Sequence, residues 1–278
     1  MISTKSVNTD SAIRPFRFES YGVRVEISSN DQDFIDAAAE VCRKSLLNNV
    51  HEVENGPFDV HFEFPCTKSG RIRMIRNQEQ ITHGRSRRKF LLFFDSIIRV
   101  SIAEYADGWV FLHAGVVGWK GKAIVLPADS FKGKSTLVAE LVRHGAEYYS
   151  DDFAVFDKDG HVYPFPRLLS MRTDDGKYQP YQLTVDELGG ISGKGPLPVG
   201  TILFTEYVPK KRWTPTVLTS GQGVLELVQY TFPIRYQPDF SFRVLNKIAS
   251  RATILTGSRG PAEKFARTLL NFVDKTVD

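Results

Sequence analysis

The residues best suited to chemistry lie between His113 and Asp152. The stretch Ile124-Val-Leu-Pro-Ala-Asp-Ser-Phe-Lys-Gly-Lys-Ser-Thr-Leu137 reads as an apolar strand, a tight loop and the opening of a helix. A phosphate-binding loop needs that context, because N–H groups at a helix start converge on an anion and the helix dipole favours negative charge there. The candidate nucleotide contacts are therefore Ala128, Asp129, Ser130, Phe131, Lys132, Gly133, Lys134, Ser135 and Thr136. In such a loop the Lys134 ammonium reaches the β- and γ-phosphates and the Ser135 hydroxyl ligates Mg²⁺, so ATP and Mg²⁺ are the expected ligands. Ala128 stands at the first glycine of the G-x-x-x-x-G-K-[ST] pattern and still lets the backbone come close. Phe131 stands where related loops often carry glycine, and a bulky residue there resists positive φ. Lys132 either compensates with its charge or lies in solvent. A bare Gly-Lys-Ser-Thr also suits a surface turn; the flanking strand and helix favour the phosphate site.

A second feature follows at a telling distance. Tyr148-Tyr-Ser-Asp-Asp-Phe-Ala-Val-Phe156 places Asp151 and Asp152 at the end of a strand that comes directly after the loop helix. In a strand–loop–helix–strand unit the second strand is expected to return beside the first, bringing its carboxyl end next to the loop. Adjacent side chains on a strand point to opposite faces, so the two aspartates share a site only if the strand ends or bends there. With that bend, one carboxylate holds Mg²⁺ and the other accepts a hydroxyl proton. An acidic turn capping a strand is the plainer alternative.

These groups need a scaffold, and the pattern of the chain supplies one. Residues 1–14 are polar and aperiodic and are expected to form a flexible tail. Tyr21–Ile27 alternates like a half-buried strand, and Phe58–Phe64 does the same with Phe58, Val60, Phe62 and Phe64 on one face. Between them Phe34, Ile35, Ala38, Val41 and Cys42 recur at helical steps from about Gln32, after N-cap candidates Ser29, Asn30 and Asp31. A basic stretch from Arg71 to Lys89 follows, and residues 15–88 are expected to form a small N-terminal α+β module. Residues 90–106 are apolar on so many faces that they predict a buried helix. Then come apolar runs at Trp109–His113 and Lys122–Pro127 around a Trp119-Lys-Gly-Lys turn, a helix from Gly133 to Arg143 ended by Gly145, and a strand at Ala146–Ser150. Phe153–Phe156 and His161–Phe165 are expected as hairpin arms around Asp157-Lys-Asp-Gly160. Gly189–Pro196 reads as a linker or lid, and the chain closes with a strand at Ala252–Leu255 and a helix near Pro261.

Composition excludes several classes. Among 278 residues, 42% hydrophobic content is enough for a core without disulfides or metal staples. A formal charge of +4 forces neither a nucleic-acid nor a membrane partner, and no apolar run is long enough to span a bilayer. Two cysteines without C-x-x-C spacing fit a reducing cytoplasm. His51, His61, His83, His144 and His161 lack the spacing of a zinc site.

Taken together, His113-Ala-Gly, then Ala128 through Leu137, then Arg143-His-Gly and Ser150-Asp-Asp152 resemble the catalytic core of the HPr kinase/phosphorylase family. The likeness spans about 109–175 well and the rest of the C-terminal part weakly. It implies an α/β fold, a mixed-sheet P-loop kinase core of the HPr kinase and PEP carboxykinase type over residues 89–278, behind the 15–88 module. PEP carboxykinase itself also pairs such a loop with two aspartates, but in a much longer chain. The resemblance makes Asp151 the base toward an acceptor serine, Asp152 with Ser135 the metal-linked pair, and His113 and Arg172 groups near the transferred phosphate. On residue type alone His113 also suits the end of a buried strand, and Arg172 a solvated surface. The implied activity is ATP/Mg²⁺-dependent phosphoryl transfer to a serine of a protein or peptide acceptor, and the family's frequent hexamers make a homo-oligomer part of what the resemblance implies. Ser170-Met-Arg-Thr-Asp-Asp stands where the family has a Glu-x-Arg-Gly segment, so the phosphorylase direction is not implied. A kinase of a small hydroxylated metabolite and a catalytically silent nucleotide-binding module are the alternatives. Weaker candidates are Lys210-Lys-Arg212 and Arg259, the latter before a helix start where an anion would be welcome.

Overall fold

The computed structural model of the protein describes residues 13–129, 132–172 and 180–276, without the side chains of Arg172 and Pro180. The chain divides into two compact units between Ile102 and Ala103. The first holds β1 (Phe16–Ser20), β2 (Val23–Ser29), α1 (Gln32–Ser45), β3 (His51–Glu52), β4 (Val60–Phe64), β5 (Ile72–Arg76), β6 (Glu79–Gly84) and most of α2 (Arg87–Tyr105). Its six strands lie in the order β3-β1-β2-β4-β5-β6, with β2 and β4 parallel and the other neighbours antiparallel. The helix expected from Gln32 is α1: the Asp31 carboxylate accepts from the Phe34 N–H at 3.0 Å and caps it.

Three expectations in this unit need correction. Phe58 is not part of the strand; it precedes β4 and lies 5.3 Å under the Arg24 guanidinium. The predicted buried helix is amphipathic instead. Phe90, Phe94, Ile98 and Ile102 form a four-residue-step stripe that is buried, whereas Leu92 and Phe93 are 63% and 44% exposed. A stripe of that width already covers a sheet, so the further apolar residues find no second layer. The division between units also falls inside α2, not ahead of it at 88/89.

The second unit holds β7 (Val110–Trp119), β8 (Lys122–Pro127), α3 (Lys134–Arg143), β9 (Glu147–Ser150), β10 (Phe153–Phe156), β11 (His161–Tyr163), β12 (Leu169–Arg172), β13 (Pro180–Leu183), β14 (Leu197–Phe204), β15 (Thr216–Val217), α4 (Ser220–Val228), α5 (Pro238–Arg251), β16 (Thr253–Thr256) and α6 (Ala262–Thr276). The main sheet runs β11-β10-β7-β8-β14-β16-β15, with β9 also on β7, and β12–β13 form a separate hairpin. β8, β14 and β16 are parallel neighbours; β7 is antiparallel to β8, β9 and β10. Alternation along β8 sends Ile124 and Leu126 into a core with α3 and α6, and Ala123 and Val125 into a core with α4 and α5. The result is a mixed sheet covered by helices on both faces. Among the described residues no helix is long and apolar enough to cross a membrane.

Two further expectations change here. The run at Trp109–His113 is only the first half of a ten-residue strand, β7, whose Ala114–Gly118 continuation is small and apolar. Gly189–Pro196 is no free linker: Tyr148 N–H donates to Ile191 O at 2.8 Å, Gly193 N–H to Tyr148 O at 2.9 Å, and the Tyr149 hydroxyl to Gly195 O at 2.8 Å. A Cβ on Gly193 would stand 1.9 Å from the Tyr149 ring, so glycine is there for close approach.

Candidate functional site

β7 is the ruler against which the site is set. Its Ala114 pairs with Pro127, the last residue of β8, and its Val116 pairs with Ser150, the last residue of β9. Both carboxyl ends therefore arrive at the same level, on opposite sides of His113–Val116. The expectation that β9 returns directly beside β8 is incorrect, since β7 is interposed and the parallel neighbour of β8 is β14. The aspartates reach the loop all the same, because β8 and β9 are both antiparallel to the strand between them.

The chain does bend at the aspartate pair. The buried Ser150 hydroxyl accepts the N–H groups of Asp152 and Phe153, each at 3.1 Å, and separates β9 from β10. β10 resumes on β7 with Phe153 opposite His113. The bend lets both carboxylates act on Lys134, which sits at the first turn of α3. Asp151 is 8% exposed. The Ser170 N–H donates to its Oδ2 at 3.3 Å. Burial raises its pKa above the ordinary carboxylate value, with Asp152 adding to that rise while Ser135, Ser170 and Lys134 oppose it.

Lys134 Nζ donates to His113 Nε2 at 2.9 Å and to Ala128 O at 3.3 Å. His113 Nδ1 faces the Asp152 carbonyl at 3.1 Å. A carbonyl only accepts, so Nδ1 carries the hydrogen and Nε2 is the bare acceptor for the ammonium. The neutral imidazole this requires agrees with a pKa lowered by burial first and by Lys134 second. Burial likewise pulls Lys134 from 10.5 down to about 8, against the upward pull of Asp152, Asp151 and Asp129. Lys134 is a half-buried cation tied to two neutral acceptors, an arrangement that an incoming anion would improve. Close approach of α3 depends on Gly115, where a Cβ would lie 2.6 Å from Val138 Cγ2 and 3.2 Å from Lys134 Cγ.

The structure thus brings together Ala128, Asp129, Gly133, Lys134, Ser135, His113, Asp151 and Asp152, with Thr136 in the first turn of α3. Lys132 is exposed and pairs with Glu206 at 3.0 Å. Ser130 and Phe131 lie outside the described residues. Arg172 ends β12 opposite Pro180, and the hairpin reaches the site through the Ser170 amide. The sequence carries no local signal for Ser170, nor for Tyr230, whose carbonyl accepts the His113 N–H at 2.8 Å. It also none for Tyr148, whose hydroxyl donates to Arg167 O at 2.7 Å beside Asp151. Arg259, read as a residue before a helix start, is buried against this loop. A separate groove of about 120 Å³, lined by Trp119, Lys122, Gly200 and Asp274, lies toward the amino end of β8 and is not part of the site.

No protein-family model and no curated protein matches the chain. Among solved structures, it is similar to the Hpr(Ser) kinase/phosphatase from Coxiella burnetii, at 10% identity and a TM-score of 0.31, over 60% of this chain and 95% of that one.

Proposed function

We propose that the chain is an ATP/Mg²⁺-dependent kinase that transfers the γ-phosphoryl group to a hydroxyl, a serine of a protein or peptide acceptor. The observation that carries this reading is the convergence of Lys134, at the start of α3, with Asp151 and Asp152 across β7. The acceptor oxygen attacks the γ-phosphorus, the bond to the β,γ-bridging oxygen breaks, ADP leaves, and the hydroxyl proton passes to a carboxylate. Asp151 is the base: burial raises its proton affinity above that of an ordinary carboxylate, and it lies near Lys134. Lys134 gathers the phosphate charge, and His113, held neutral, orients Lys134. The oxygen donors at the site suit a hard cation, with Ser135 and Asp152 as its protein ligands; bound there, Mg²⁺ would offset phosphate charge. One observation favours a second division of labour. Ser135 lies close enough to Asp151 to lower its pKa, which would put Asp151 on the metal side and leave Asp152 as the base.

Calorimetry with Mg²⁺-ATP tests the binding half, and labelled-ATP transfer to serine-containing acceptors tests the chemistry. Lys134→Ala is expected to weaken binding at least tenfold, the scale of losing one charge-assisted hydrogen bond. Asp151→Asn should abolish transfer and spare binding, while Asp152→Asn weakens the Mg²⁺ dependence; the opposite outcome selects the second division. A folded wild type that binds no nucleotide overturns the kinase.

A further inference from the structure

The loops that follow β8, β14 and β16 emerge at one edge of the sheet, because the three strands are parallel neighbours. The last two loops are zipped together. Arg259 N–H donates to Glu206 O at 3.0 Å, Val208 N–H donates to Arg259 O at 2.8 Å, and the Thr205 hydroxyl donates to Gly257 O at 2.6 Å. From this bracket the Arg259 side chain crosses to the phosphate loop. Its Nη2 donates to Gly133 O at 2.8 Å and its Nη1 to Gly260 O at 3.0 Å.

The surroundings of that guanidinium are unusual for a structural arginine. Arg259 is 2% exposed, with the rings of Tyr207 and Phe265 centred 5.9 and 5.8 Å away. Among the described residues no carboxylate pairs with it, and its Nε has no hydrogen-bond partner. Burial accordingly lowers its pKa to about 10. A buried charge without a counter-charge is costly, so a fold that keeps one has a use for it.

The contact with Gly133 indicates the use. Gly133 sits in the left-handed region, with φ 81°, immediately before Lys134 opens α3. Its carbonyl accepts twice, from Arg259 and from the Leu137 N–H at 3.1 Å. A peptide group is planar and trans, so the direction of the Gly133 carbonyl also sets the opposite direction of the Lys134 N–H. Building on the phosphate-loop reading above, we propose that Arg259 is the positioning residue of the anion site, gripping the Gly133 carbonyl so that the amides opening α3 are held ready for the phosphates of a nucleoside triphosphate.

Hydrogen exchange of the free full-length protein, read by mass spectrometry on peptides within 128–137, tests this without any ligand. Arg259→Gln should speed exchange in that segment roughly ten- to a hundredfold, the scale of one lost hydrogen bond from a charged donor. Arg259→Lys should fall between the two, since an ammonium can still reach one carbonyl. Exchange in α6 and β14 should stay at the wild-type rate. Loop exchange unchanged in both variants overturns the proposal, as does loosening that spreads equally through α6 and β14, the mark of a packing residue. Affinity for inorganic triphosphate should fall at least tenfold in Arg259→Gln. A wild type that binds neither triphosphate nor Mg²⁺-ATP would count against the kinase reading, whereas the exchange data still decide the role of Arg259.

Discussion

Replacing Gly115 by alanine probes the link between β7 and the loop helix. The new methyl would stand 2.6 Å from Val138 Cγ2 and 3.2 Å from Lys134 Cγ. Carbon pairs settle near 3.5–4.0 Å, so the first contact is about 1 Å too close. Val138 is fully buried, so α3 must shift outward, carrying Lys134 with it. Overpacking of this kind costs about 1–3 kcal/mol. Val138→Ala alone leaves a cavity, costing about 1–3 kcal/mol for two methyl groups. In the double variant the Gly115→Ala methyl fills the space that Val138 vacates. Its cost should therefore be close to that of Val138→Ala alone, with a favourable coupling of about 1–2 kcal/mol. Urea denaturation of the four proteins measures the coupling, and Mg²⁺-ATP calorimetry should show affinity lost in Gly115→Ala and largely regained in the double variant. Simple additivity of the two stability losses would refute the claim that α3 is seated through Gly115.

Lys134→Met should stabilise the free protein near pH 7. The drop from 10.5 to about 8 amounts to roughly 3 kcal/mol of disfavoured charge, offset by the lost bonds to His113 and Ala128 to a net gain of about 1–2 kcal/mol. The folded pKa lies below the unfolded one, so the unfolded chain holds more protons between pH 8 and 10.5. The cost is fully present below about pH 8 and relieved as pH rises toward 10.5, so denaturation at pH 7 and pH 10 should show the variant's advantage shrinking. Gly193→Ala should cost about 1–3 kcal/mol through its contact with the buried Tyr149 ring. Gly195→Ala, with open space at its Cβ, should stay within about 0.5 kcal/mol, and equal thermal shifts in the two would contradict the pinning of this segment to β9.

What the sequence determined by itself is what local physics determines. The loop between β8 and α3 is legible because strand, turn and helix start are contiguous. The Asp31 cap and apolar stripe of α1 need one helix, and the β10–β11 hairpin around Asp157–Gly160 needs one turn. Two adjacent aspartates share a site only if the strand bends there, and the neighbouring Ser150 hydroxyl supplies that bend. Only the tertiary structure decided how these pieces meet. That β7 lies between β8 and β9 is a matter of strand order, which periodicity does not encode, since a strand with both faces buried pairs equally well with several neighbours. The α2 stripe shows the same gap: apolar content was visible, but not which side has a sheet to cover. Arg259 and Gly133 are 126 residues apart, and Asp151 meets the Ser170 amide 19 residues on. Contacts across such separations follow from where whole strands end in space, so a residue's own neighbours in sequence hold no trace of them.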